Sequence, residues 1–75
     1  MNNSRRKQLS QARKMVSEAC SVIEQVREEE QESYDNLPEN FQESDRGIAM
    51  EENIDAMDDA ISSLNEAIER IDQMQ

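Results

Sequence analysis

Apolar side chains recur along the first third of the chain at Leu9, Ala12, Val16, Ala19, Ile23 and Val26. Their steps alternate between three and four residues, the repeat of a helix that shows one continuous seam to a neighbouring helix. The next two places in the repeat hold Glu30 and Ser33, so the seam fails there. A second, bulkier seam follows at Met50, Ile54, Met57, Ile61, Leu64, Ile68 and Ile71. Met15, Cys20 and Val22 flank the first seam, and Ala60 and Ala67 the second. These flanks widen each stripe toward the broader face used in helix bundles. Mostly small residues on one helix and mostly large ones on the other interdigitate well when the chain folds back on itself.

Between the seams lies Tyr34 to Gly47, YDNLPENFQESDRG, which holds the chain's only Pro, its only Gly and both aromatic residues. Pro38 cannot continue an arriving helix and disfavours the α region for Leu37, so the first helix must stop before it. Proline also suits the start of a new helical turn, and Asn40, Glu43 and Ser44 offer capping side chains. The pattern predicts helix one at about residues 4–33, with Asn2, Asn3 or Ser4 as its N-cap. A turn at 34–44 follows, with a short helical piece at Pro38 to Glu43, and then helix two at about 45–73, capped by Ser44. Tyr34, Leu37 and Phe41 are expected to plug the turn end. Gly47, in the first turn of helix two, costs about 1 kcal/mol relative to Ala. It reads as a hinge or cap, the alternative being a close approach by a partner's backbone. The fold expected is all-α, a two-helix antiparallel hairpin forming one domain over 1–75. Two helices touching along one line leave their apolar flanks wet, so dimerisation into a four-helix bundle is also expected.

Charge divides the chain unevenly. Residues 1–27 carry six basic side chains (Arg5, Arg6, Lys7, Arg13, Lys14, Arg27) against Glu18 and Glu24, a net of +4. Residues 28–75 carry sixteen acidic ones against Arg46 and Arg70, a net of −14. An antiparallel hairpin sets the basic start beside Glu66, Glu69 and Asp72, where each offsets the other's unfavourable position on its helix dipole. The turn end has no such offset. Glu28, Glu29, Glu30, Glu32, Asp35, Glu39, Glu43, Asp45, Glu51, Glu52, Asp55, Asp58 and Asp59 are opposed there only by Arg46. Like charges three or four apart on a helix repel, so this pole either serves solubility or attracts a basic partner.

Composition narrows the chemistry. There is no histidine and no glycine-rich phosphate loop, and a thiol packed beside a seam, as Cys20 would be, is unreactive. An enzyme is not expected, nor a cofactor. Histidine-containing metal motifs are absent, and Asp55, Asp58 and Asp59 lack the alternation and central glycine of a calcium loop. A lone cysteine excludes an internal disulfide and fits a reducing cytosol, leaving only an intermolecular bridge open. No apolar run approaches a membrane span or signal-peptide core. The basic start invites a nucleic-acid reading, but the remaining acidic chain would repel DNA, so direct nucleic-acid binding is not expected.

The turn YDNLPENFQESDRG with its acidic heptad helix resembles a small family of helical proteins of Gram-positive bacteria and their phages. A Tyr-Asp-Asn-Leu-Pro-Glu turn recurs in that family, and the likeness covers roughly residues 28–72. In size and acidity the chain also resembles phage host-takeover inhibitors that imitate DNA and block the nucleoid protein HU. That resemblance implies that, in a bacterial host cell, the thirteen turn-end carboxylates stand in for phosphates against a basic DNA-binding partner such as HU; the homodimer is expected from the wet flanks and the cytoplasm from the lone cysteine. Two alternatives stay open: an adaptor hairpin that binds through the apolar flanks Met15, Val22, Met50 and Met57, and an antitoxin-like neutraliser of a basic toxin.

Overall fold

A computed structural model describes residues 1–74. Three helices make up most of them: α1 (Asn3–Asp35), α2 (Glu39–Gln42) and α3 (Asp45–Gln73). No strand occurs among the described residues. α1 and α3 pack along each other as an antiparallel hairpin, with α2 lodged against the start of α3, and the Cα trace spans 58 × 14 × 13 Å.

Asn2 starts α1: its backbone is extended, and its side-chain oxygen accepts a hydrogen bond from the Arg5 N–H at 2.8 Å. That satisfies one of the donors a first turn leaves unpaired. At the other end, three residues before Pro38, the last carbonyls of α1 find donors. The Asn36 N–H donates to Glu32 O (3.0 Å), and the Gln42 side-chain amide donates to Tyr34 O (3.2 Å) and Leu37 O (3.4 Å). Gln42 thus ties α2 to the end of α1, a role that spacing alone does not reveal. Asn40 caps nothing and sits within α2. Ser44 makes the next junction, donating to Phe41 O and accepting from the Gly47 N–H at 3.4 Å.

Gly47 is neither a hinge nor a place for a partner. α3 runs through it without interruption, it is buried, and a Cβ added there would lie 2.1 Å from the Gln42 carbonyl oxygen. The chain's own backbone makes the close approach. The plug is also smaller than expected: Tyr34 and Leu37 are half-buried, but Phe41 remains 54% exposed.

The α3 seam is as the pattern requires. Met50 and Ile54 are buried, and Met57, Ile61, Leu64, Ile68 and Ile71 half-buried. Met50 and Met57 therefore face α1 and offer no adaptable outer surface. On α1 the seam is displaced. Leu9, Ala12, Val16 and Ile23 are half-buried as expected, but Ala19 is exposed and Val26 is 46% exposed. From there on the second inward row is Cys20, Arg27 and Tyr34, one place further along the chain, and exposed Arg13 continues that row toward the open end.

Each member of that row meets α3. Arg13 Nε and Nη2 donate to the two Asp72 carboxylate oxygens (2.6 and 3.0 Å), and Arg27 grips Asp58 in the same bidentate way (2.8 and 3.3 Å). The Cys20 thiol reaches Asn65 Oδ1 at 3.8 Å and Glu24 Oε1 at 3.6 Å, and the Tyr34 hydroxyl donates to Glu51. Seven residues forward on α1 match seven residues back on α3, so four polar contacts hold one register along the whole hairpin. Long arginine stems cover apolar surface while their heads reach the carboxylates. Rows 12/19/26 and 13/20/27 share one period, so periodicity cannot choose between them. The cross-helix partners choose.

Candidate functional site

The ladder gives the hairpin two unlike sides. One is stitched by Arg13–Asp72, Cys20–Asn65, Arg27–Asp58 and Tyr34–Glu51. The other carries Ala12, Met15, Ala19, Val22 and Val26 on α1, with Met15 68% and Val22 60% exposed. On α3 the row Asn53, Ala60, Ala67 and Met74 borders that same side, where Asn53 donates to Glu30 at 3.2 Å.

Twelve of the thirteen turn-end carboxylates lie on the three helices and Glu43 lies at the α2–α3 junction, all toward the closed end of the rod. Five have side-chain partners: Glu29 with Gln25, Glu30 with Asn53, Asp35 with Gln31, Glu51 with Tyr34, and Asp58 with Arg27. Arg27 is a second cation at this pole, one that counting from residue 28 misses. The other eight, Glu28, Glu32, Glu39, Glu43, Asp45, Glu52, Asp55 and Asp59, are exposed and have no side-chain partner among the described residues. An open notch between α2 and α3 is lined by Tyr34, Glu39, Glu43, Ile48 and Glu51 among others.

Titration follows these contacts. The hydrogen bond from Arg13 holds the Asp72 carboxyl below its ordinary value, with Arg13's charge adding to it. The hydrogen bond it donates to Glu51 raises the Tyr34 phenol above its ordinary value, helped by desolvation and by the charges of Glu51, Asp35 and Glu43. Burial first, and then Glu24, pushes the Cys20 thiol up. A raised thiol that is only 4% exposed is poorly placed for an intermolecular bridge.

Among the described residues no three Cys, Asp or Glu side chains are placed to hold a metal ion, and no helix is long and apolar enough to cross a membrane. No protein-family model, curated protein or solved structure matches the chain.

Unpaired like charges should make the fold respond to salt in an uncommon direction. Raising ionic strength from about 0.01 M to 1 M shortens the screening length from about 30 Å to about 3 Å. Repulsion among the eight free carboxylates then fades, while the three exposed ion pairs lose little because such pairs contribute little. The unfolding temperature in circular dichroism should rise with sodium chloride. A fall would mean that the ion pairs outweigh the repulsion.

Proposed function

We propose that this protein is an acidic binding module that occupies the DNA-binding surface of a basic protein, such as a bacterial nucleoid protein of the HU kind. Each acidic turn end acts on its own, and a dimer of hairpins packed into a four-helix bundle carries two of them. The observation that carries the reading is linear charge density. Residues 45–59 of α3 span about 22 Å at 1.5 Å per residue. Over that length the rod bears thirteen carboxylates less Arg27 and Arg46, a net of −11. One charge per about 2 Å approaches the one per about 1.7 Å of duplex DNA. A surface shaped and charged to hold a phosphate rod meets a comparable field here. The notch suits a basic side chain, its stem against Tyr34 and Ile48 and its charge among Glu39, Glu43 and Glu51.

The test is displacement of fluorescent duplex DNA from purified HU. Wild-type protein should displace it at low salt, and the effect should fade as salt rises. Glu51 and Asp58 hold the hairpin register, so the informative variant reverses only Glu52, Asp55 and Asp59 to Lys. It should keep its helical circular dichroism and compete on the order of tenfold or more weakly, as expected for lost charge contacts. Undiminished competition by the reversed variant would sink the reading. Binding that holds at high salt would favour the adaptor alternative, for which the exposure of Met15 and Val22 speaks. Tight binding to basic proteins that have no DNA site would point to the antitoxin-like alternative, which uses the same carboxylates.

A further inference from the structure

We infer that the unstitched apolar side is covered by a second copy of this chain lying antiparallel to the first, so that the two acidic turn ends sit at opposite ends of the bundle. This deepens the dimeric part of the function proposed above by assigning it a face and an orientation.

Three observations converge on a second copy. The first is shape and area. The hairpin exposes 5829 Å², whereas a compact protein of 8.7 kDa exposes about 4,700 Å². The excess, on the order of 1,000 Å², is comparable to the roughly 800 Å² each partner buries in a standard interface. The second is where the wet apolar surface lies. Exposed Met15, Ala19, Val22 and Val26 step by four and three, with half-buried Ala12 at their edge, a second seam beside the one that meets α3. Small Ala12 and Ala19 let a facing helix approach closely while Met15, Val22 and Val26 fill the gaps. The opposite side of the hairpin is closed by the polar ladder.

The third is charge, and it sets the direction. Cut between the Arg27–Asp58 rung and the residues before it, the rod divides into a turn half over residues 27–59 with a net of −11 and an open half with a net of +1. In the open half Arg5, Arg6, Lys7 and Lys14 make no ion pair among the described residues. A parallel dimer would stack −11 on −11. An antiparallel one lays each acidic half along the half holding these cations, and the contact is closed by a two-fold axis.

The experiment has three readouts on the full chain. Light scattering during gel filtration should give twice 8.7 kDa for the wild type. Val22→Arg and Met15→Arg change side chains that the single hairpin leaves exposed, so both should keep helical circular dichroism while the mass falls to that of one chain. Carbodiimide joins lysines to carboxylates at zero length, and Lys7 and Lys14 are the only lysines. Mass spectrometry should find Lys7 joined to Glu29 or Glu32. About 33 Å or more of one helix separates these residues within a copy, at 1.5 Å per residue, so the link can form only between copies. A monomeric wild type, a dimer that survives both arginine variants, or a dimer without links from Lys7 or Lys14 to residues 28–32 would each overturn the proposal. The DNA-displacement assay is independent of these readouts, because a monomeric Val22→Arg chain keeps its acidic end intact.

Discussion

Replacing Gly47 with Ala should lower the unfolding temperature, although Ala is the better helix former by about 1 kcal/mol. The position lies inside the first turn of α3, where propensity alone forecasts a gain. The new methyl would meet the Gln42 carbonyl oxygen, carbon and Cα at 2.1, 2.6 and 2.8 Å. These are backbone atoms, so no rotamer change relieves the overlap, and α2 must move off α3. Overpacking of this kind costs about 1–3 kcal/mol, against which the propensity gain is the smaller term. Shifting α2 also disturbs the Gln42 amide, which satisfies the Tyr34 carbonyl at the end of α1 and the Leu37 carbonyl just beyond it. For a domain of this size each net kcal/mol lowers the midpoint by roughly 4–8 °C. Melting should be compared at one protein concentration, since association shifts apparent stability. A raised midpoint would show that the α2–α3 junction opens freely and that Gly47 is the hinge its sequence context suggests.

Ile54→Ala should come close to unfolding the protein. Cys20, Met50 and Ile54 are the only buried side chains among the described residues, with Ile54 at 6% exposure. Truncating a buried Ile to Ala costs about 2–5 kcal/mol. A chain of this length has about 4–11 kcal/mol to lose, at 0.05–0.15 kcal/mol per residue. With so few buried side chains no neighbour can move into the void without uncovering itself. Urea denaturation should show a much lower midpoint. The control is Ile48→Ala, six residues earlier at 46% exposure, which should stay within about 0.5 kcal/mol of wild type. Equal effects at the two positions would mean that Ile48 is covered by something other than this hairpin.

Much of the architecture is legible in the pattern because its signals are local. Pro38 ends a helix through its own ring, and Ser44 opens one through its own hydroxyl. The seam from Met50 to Ile71 is read without error because bulky residues occupy every place in it and no competing row exists on that helix. On α1 the reading slips by one place from Ala19 and Val26 to Cys20 and Arg27. Ala12 keeps its place at the seam, but Ala19 and Val26 lie on the outer side. No residue of α1 alone carries that information: it resides in Asp58, Asn65, Glu51 and Asp72, which accept contacts from Arg27, Cys20, Tyr34 and Arg13 across the hairpin.

The acidic end is legible as composition and not as a surface. Thirteen carboxylates can be counted between residues 28 and 59, but which five are engaged and which eight face solvent depends on neighbours up to 31 residues away, as for Arg27 and Asp58. Gly47 is the sharpest case. Its sequence setting fits a hinge, and only the packing of α2 on α3 brings the Gln42 carbonyl to where a side chain would stand. By itself the sequence determines the helices, their ends and the sign of each pole, since those follow from steric limits and charges carried by each residue alone. Tertiary structure decides register, which of two equally periodic rows is buried, and which charges remain free, because those depend on pairs of residues far apart along the chain.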